Sequence, residues 1–425
     1  MTCNLFLPMR LPMPSLGSGL CKMTEETHDP SAAIPLSPNT ILVRGGLTRS
    51  QHKETSEAIF LTSGFVYDSA SEAEARFKGE APGYLYGRYA NPTNRMLEER
   101  LAAIDGAQTC RLTASGMAAV TAALLAPLRA GDHVVAGKAL FSSCRWVIET
   151  FMPRYGIEFT LVDSTDVEAW RAAIRPNTKT FFLESPSNPT LDVSDIAAVA
   201  SLAKGCGARL IVDNIFASPI LQRPFELGAD VVVYSTTKHM DGSGRTLGGA
   251  ILGSTAFMEE HIDPYLRHTG PAMSPFVAWN VLKGLETLSM RVERASANAA
   301  RLADVIAAHP AITYVRYPHR TDHPQYELAS QQMKSGGTLL AFELKGGKLA
   351  AFAFLDALQI VDISNNLGDS KSLATHPATT THYSFAPEVQ AELGVTSGLI
   401  RLSVGIEDCE DLVKDVEAAL NAALS

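Results

Sequence analysis

The chain has 425 residues, 46% hydrophobic and 19% charged, with a net charge of −9. That length can bury a large core and divide into two or three lobes. The acidic balance, with no basic run to offset it, argues against a nucleic-acid partner, and no apolar stretch reaches membrane-spanning length. The six cysteines (Cys3, Cys21, Cys110, Cys144, Cys206 and Cys409) form no C-x-x-C pair. They read as reduced thiols, which predicts a cytoplasmic protein.

Residues 1–38 hold Pro, Ser, Gly and Thr without periodicity and are predicted to form a disordered tail. Arg10 ahead of a stretch broken by Pro12 and Pro14 makes a poor signal peptide, and Met23 could be the true start. Residues 39–90 follow as an N-terminal arm. A helix is predicted over Asn94–Ile104, ending at Gly106, and an Ala-rich helix from Ser115 to about Ala126. Strands are predicted at His133–Ala136, Glu158–Val162, Thr180–Glu184, Arg209–Asp213 and Asp230–Tyr234, with helices at Glu168–Ile174 and Ile196–Gly205 between them. This alternation gives a mainly parallel sheet covered on both faces, in a large domain over 91–282. A long helix after Pro275 kinks or bridges toward a smaller α/β domain over 283–425. That domain holds strands at Thr338–Leu344 and Leu399–Val404 and helices at Leu349–Leu358 and Cys409–Leu424. Ligands of such sheets sit beyond the carboxyl ends of the strands.

Several strand ends carry useful chemistry. Val231 to Val233 lead into Ser235, Thr236, Thr237 and Lys238. Burial disfavours a charged amine, so a lysine there becomes a nucleophile and base. The hydroxyls beside it can hold an anion, and amine plus anion site suits a phosphate-bearing aldehyde such as pyridoxal phosphate. Two other readings stay open: an ordinary surface lysine, and an S-x-x-K acyl-enzyme with Ser235 as nucleophile, which lacks the S-D-N and K-T-G that accompany it. Gly242-Ser-Gly244 follows no strand directly and makes a poor dinucleotide loop. Asp213 either faces a cation, such as a protonated pyridine nitrogen, or caps a turn. Asn188, between Pro186 and Pro189, is a positioned donor or a turn residue. Ser115-Gly116-Met117 offers free N–H groups to a phosphate, or is merely a cap. His319 and His323 lack the remaining ligands of a metal site, so none is expected.

With these residues in view the chain resembles, over about 40–420, the pyridoxal-phosphate-dependent Cys/Met-metabolism enzymes. These include cystathionine synthases and lyases, methionine γ-lyases and homoserine-ester sulfhydrylases. The resemblance rests on Tyr84-Leu-Tyr-Gly-Arg-Tyr-Ala-Asn-Pro-Thr93, Ser115-Gly-Met117, Glu184-Ser-Pro-Ser-Asn-Pro189, Val212-Asp-Asn214, Ser235-Thr-Thr-Lys238 and Leu399-Ile-Arg-Leu-Ser-Val-Gly405. It implies the aspartate-aminotransferase-like fold type I, and a homotetramer built of active dimers. Lys238 is then implied as the Schiff-base lysine and Asp213 as the partner of the pyridine nitrogen. Ser235, Thr237 and the amides of Gly116 and Met117 would hold the phosphate, joined by Tyr86 and Arg88 from the neighbouring subunit. Phe141 stands where many members stack a tyrosine, so it keeps the stacking and loses the phenol. Arg401 would clamp the substrate α-carboxylate, Asn188 lie near the ring oxygen, and Ser364 near the lysine and the substrate.

Within the family, Asp241-Gly-Ser-Gly-Arg-Thr-Leu-Gly-Gly249, Ser364-Asn-Asn-Leu-Gly-Asp369 and Thr375-His-Pro-Ala-Thr-Thr-Thr-His382 resemble the O-succinylhomoserine sulfhydrylase group. Methionine γ-lyases carry a cysteine two residues after the stacking aromatic; here that residue is Ser143, with Cys144 one further on. The resemblance implies γ-replacement: O-succinylhomoserine and sulfide give homocysteine and succinate. The rival readings are the O-acetyl ester, cysteine as sulfur donor (a cystathionine γ-synthase), and γ-elimination. A succinyl substrate wants a second cation beside Arg401, for which Arg111 and Arg145 are the candidates.

Overall fold

The structure, a computed structural model, describes residues 36–424. The expected tail lies outside the described residues except for positions 36–38, as do the signal-peptide and Met23 readings. Seven strands form the first sheet: β1 Thr109–Thr113, β2 His133–Gly137, β3 Glu158–Val162, β4 Thr178–Glu184, β5 Arg209–Asp213, β6 Val231–Ser235 and β7 Gly249–Gly253. Their order is β1-β7-β6-β5-β4-β2-β3. The pairings among β6, β5, β4, β2 and β3 are parallel, while β7 runs antiparallel to both its neighbours.

The apolar runs that predicted these strands are buried on both faces. Val232, Tyr234, Leu210, Val212, Phe181 and Leu183 pack into one core. Their alternates Val231, Val233, Ile211 and Phe182 pack into another on the opposite face. This is the period-2 consequence of covering a sheet on both sides.

Two helices flank β1 in the chain and pack on opposite faces of the first sheet. Pro92–Asp105 begins with the Asn91 carboxamide accepting from Thr93 N (2.9 Å) and stops at Gly106, as the sequence predicts. Gly116–Leu125 begins at Ser115, whose hydroxyl accepts from Ala118 N (3.1 Å). The long helix expected after Pro275 is two helices, Pro275–Leu285 and Leu288–Ala308, broken at Glu286 and Thr287. The second spans both cores: Leu288 and Val292 pack with the first sheet, Ala299, Leu302 and Ile306 with the second.

The second sheet has the order β10-β11-β12-β9-β8. Its strands are β8 Ile312–Arg316, β9 Leu339–Leu344, β10 Asp362–Ile363, β11 Leu373–Thr375 and β12 Leu399–Ser403. The helices Gly347–Ala357 and Cys409–Ala422 cover it.

The segment before the first sheet is tied down by charge. Arg100 donates to Glu57 Oε1 at 2.6 Å with both side chains buried, and Lys283 pairs with Oε2 of the same carboxylate. Trp279 Nε1 adds a bond to Glu57 O (3.0 Å). Burial alone would raise the Glu57 pKa, but Lys283 and Arg100 outweigh it and hold the group below its ordinary value. Glu57→Ala leaves Arg100 buried and unpaired, so it is expected to cost about 3–5 kcal/mol of stability, read as a lower denaturation midpoint. Because the folded pKa is depressed, this contribution is present above the unfolded carboxylate pKa and is lost as pH falls through the folded value.

Candidate active site

The carboxyl ends of β4, β5 and β6 deliver Glu184, Asp213 and Ser235 to one edge of the first sheet. β12 of the second sheet brings Arg401 to the same place. Between them lies a cavity of about 240 Å³. Of the twelve candidate residues, Gly116, Met117, Phe141, Asn188, Asp213, Ser235, Thr237, Lys238 and Arg401 line it.

Lys238 donates from Nζ to Asn366 Oδ1 at 2.5 Å. Burial, and secondarily the charge of Arg401, draw its pKa down to about 8. Asp213 is 2% exposed and accepts only from Ile215 N (3.1 Å), so burial pushes its carboxyl up to about 7. Among the described residues no cation pairs with it, and a buried carboxylate ionises at a cost unless one does.

Arg401 is buried on β12. Its two terminal nitrogens donate to Asn188 Oδ1 (2.8 Å) and to the carbonyls of Asn365 (2.9 Å) and Asn366 (3.4 Å). Its Nε is buried and without a partner. Burial lowers its pKa to about 10, so it remains a cation at neutral pH. With its oxygen engaged by Arg401, Asn188 has its amide N–H₂ to offer to a ligand.

The anion end lies at the start of helix Gly116–Leu125. Ser115 takes the N–H of Ala118, leaving the amides of the first turn to face a ligand, at the positive end of a ten-residue helix. A Cβ on Gly116 would stand 2.6 Å from Ser235 Cβ, so only glycine lets this turn close on the β6 end. The Thr237 hydroxyl is fixed by Gly248 N, which donates to it at 3.0 Å.

Three of the twelve lie elsewhere in the chain. Tyr86 and Arg88 are exposed, with the Arg88 guanidinium over the Tyr86 and Tyr89 rings at 5.5 and 4.9 Å. Arg88 lines a separate cavity of about 170 Å³ with Arg111 and Arg267. Ser364, expected near the lysine and the substrate, does not line the Lys238 cavity. The residue on the lysine amine is Asn366, two positions on, and the Ser364 hydroxyl instead accepts from Asn366 N (3.2 Å).

The two candidate second cations are also corrected. Arg111 is engaged by Asp263 at 2.6 and 2.9 Å and Arg145 by Glu149 at 2.5 Å, and neither lines the Lys238 cavity. Cys144, Thr381, Asn365 and Glu184 do line it. Glu184 carried the same signal as Asp213, a carboxylate ending an apolar strand.

Residues 39–421 match the model of the family described as Cys/Met metabolism PLP-dependent enzymes. The chain belongs to that family. It is 50% identical over 395 residues to O-succinylhomoserine sulfhydrylase of Mycobacterium tuberculosis, covering 92% of this chain and 97% of the relative. L-methionine gamma-lyase of Pseudomonas putida is 41% identical over 366 residues, covering 86% and 92%. Among solved structures, a putative O-acetylhomoserine (thiol)-lyase of Campylobacter jejuni superposes with a TM-score of 0.87 at 31% identity. It covers 91% of this chain and 100% of its own, and carries a pyridoxyl-lysine monophosphate. The fold is accordingly the fold type I of pyridoxal-phosphate enzymes.

The cavity fits that cofactor. A lysine of lowered pKa, a buried carboxyl lacking a cation and a glycine-lined helix start stand together in one space. These match the three chemical ends of pyridoxal phosphate: aldehyde, ring nitrogen and phosphate. If Lys238 captures the aldehyde, attachment to cofactor-free protein should need the unprotonated amine. The rate should rise about tenfold per pH unit below pH 8 and level off above it. Following visible absorbance after mixing at each pH checks this; a flat profile between pH 6 and 8 counts against it.

Proposed function

We propose that this chain is an O-succinylhomoserine sulfhydrylase, replacing the γ-succinyl ester with sulfide to give homocysteine and succinate. The observation that carries the chemistry is the lysine amine at 2.5 Å from Asn366, in one cavity with Arg401 and Asp213. The choice within the family is supported by the higher identity to the sulfhydrylase (50%) than to the γ-lyase (41%).

The cofactor supplies the electron sink that makes the substrate Cα–H and Cβ–H acidic. Lys238, a free amine at mildly alkaline pH, moves the protons: it takes one from Cα, another from Cβ, and returns them after replacement. Asp213 would hold the ring nitrogen as its anionic partner. The amides of Gly116 and Met117, with Ser235 and Thr237, would hold the phosphate, Phe141 would stack on the ring and Asn188 would donate to the ring oxygen. Arg401 receives the substrate α-carboxylate on its unpartnered Nε edge, which fixes Cα within reach of the amine. The ester C–O bond at Cγ breaks, with its electron pair leaving on succinate, and a C–S bond to sulfide forms at the same carbon.

Supplying O-succinyl- and O-acetylhomoserine, each with sulfide or cysteine, and identifying the products tests this. Homocysteine from the succinyl ester and sulfide as the fastest reaction is expected. Release of 2-oxobutyrate without thiol incorporation would move the protein to the γ-lyases.

The assembly and its setting belong to the same proposal. The protein works as a cytoplasmic homotetramer of active dimers, with 39–90 as an arm, 91–282 as the cofactor domain and 283–425 as the C-terminal domain. The exposed Leu61, Val66, Phe77, Tyr86 and Tyr89 of the arm support a covering partner. Tyr86 and Arg88 then serve the neighbouring cavity. Among the described residues no helix is long and apolar enough to cross a membrane. If each site draws on two subunits, Lys238→Ala and Arg88→Ala proteins are each nearly inactive alone and recover activity after mixing and subunit exchange. Sites complete within one chain would give no recovery.

A further inference from the structure

Glu184 is the one acid of the cavity to which the reaction above gives no task. It ends β4 and is the register partner of Asp213, which ends β5. Both are buried, at 3% and 2% exposure. The Glu184 carboxyl is also a junction. Its Oε2 accepts from Phe141 N at 2.9 Å, fixing the chain where the aromatic ring enters the cavity. The nearby Asn188 N–H favours its charge, and the Asn188 side chain accepts from Arg401 at 2.8 Å. This carboxyl therefore holds the backbone of the ring-stacking residue and stands beside the loop whose Asn188 engages the carboxylate-binding arginine.

Two carboxyls side by side at the end of a buried sheet cannot both ionise cheaply, and such a pair keeps one proton. The groups acting on Glu184 are Asp213, which disfavours its charge, and Arg401 with the N–H groups of Phe141 and Asn188, which favour it. Cys144 is the other titratable group that feels both acids. Burial and Asp213 prevail, so the Glu184 pKa is raised well above the ordinary carboxylate range. Asp213 is the acid with a cationic ligand to come, so the shared proton belongs on Glu184.

We propose that Glu184 is a positioning residue that works as the neutral acid, holding Phe141 in place while leaving Asp213 as the sole anion for the ring nitrogen. The second half of this statement rests on the reading of Asp213 given above.

The test compares Glu184→Gln and Glu184→Ala in the full-length, cofactor-loaded enzyme. Glutamine keeps an acceptor oxygen and carries no charge. It is expected to hold kcat/KM and the cofactor dissociation constant within about fivefold of the parent, and to leave the pH midpoint of the visible absorbance unmoved. Alanine removes the acceptor from Phe141 N, so the cofactor dissociation constant should rise about tenfold or more. A hundredfold fall in kcat/KM for the glutamine variant, with a shifted absorbance midpoint, would overturn the proposal by showing that Glu184 works as an anion. Parent behaviour in the alanine variant would overturn it by showing that Glu184 positions nothing. If the alanine variant does not fold, the glutamine variant still decides. Asp213→Asn, run alongside, separates the two readings: full activity there would refute the role of Asp213 whatever the Glu184 variants show.

Discussion

Lys238→Ala is expected to abolish the visible absorbance of the cofactor-loaded protein and to lower turnover by roughly 10³-fold or more. The effect is large because one side chain has two tasks, holding the cofactor and moving the protons at Cα and Cβ. The fold should survive. The amine has a single side-chain partner, Asn366, which is itself partly exposed, so truncation strands no buried charge. Absorbance, circular dichroism and steady-state turnover on the same preparation check the three parts. Retained absorbance would remove Lys238 from the chemistry and return attention to Ser235 as a nucleophile.

Arg401→Lys is the second. Lysine keeps the positive charge and loses the planar fork that here engages Asn188 and two backbone carbonyls while presenting Nε. An ammonium cannot span those acceptors and still meet a carboxylate in the plane. KM for the amino-acid substrate should rise about a hundredfold with kcat reduced far less, since the α-carboxylate is bound before and throughout the reaction. Equal losses in kcat and kcat/KM would instead mean that the arginine acts on the transition state alone.

The strands that carry the site were legible because a parallel sheet buried on both faces writes itself as short, continuous apolar runs. A polar residue at the end of such a run marks the ligand edge, which is how Asp213 and Lys238 stood out. β1 and β7 were not read. β1, Thr-Cys-Arg-Leu-Thr, is half polar, and β7 begins and ends on glycine, which carries little strand signal. Their place is fixed by pairing with each other and with β6.

The part of Asn366 in the loop after β10 was not legible for a similar reason. Whether Ser364 or Asn366 meets Lys238 depends on anchors remote in sequence, such as Gly368 N on Ser403 Oγ (2.9 Å). The engagement of Arg145 by Glu149 was open to view, since the pair stands at helical i,i+4 spacing. The Arg111–Asp263 pair was not, because 152 residues separate its members.

Gly249, which opens β7, and Gly248 just before it bear on how this enzyme could change. A Cβ at Gly249 would stand 2.3 Å from Ser115 O, and one at Gly248 would stand 2.4 Å from Thr236 Oγ1. At Gly249 the anion end of the cavity is thus braced from behind by the Ser115 backbone, and a side chain there displaces the turn that would meet the phosphate. Asn365, Asn366 and Thr381 instead reach the cavity from loops that follow β10 and β11, outside the first sheet. New substrate preferences should therefore arise by substitution along that outer wall, and libraries aimed at the β7 floor should return mostly inactive protein.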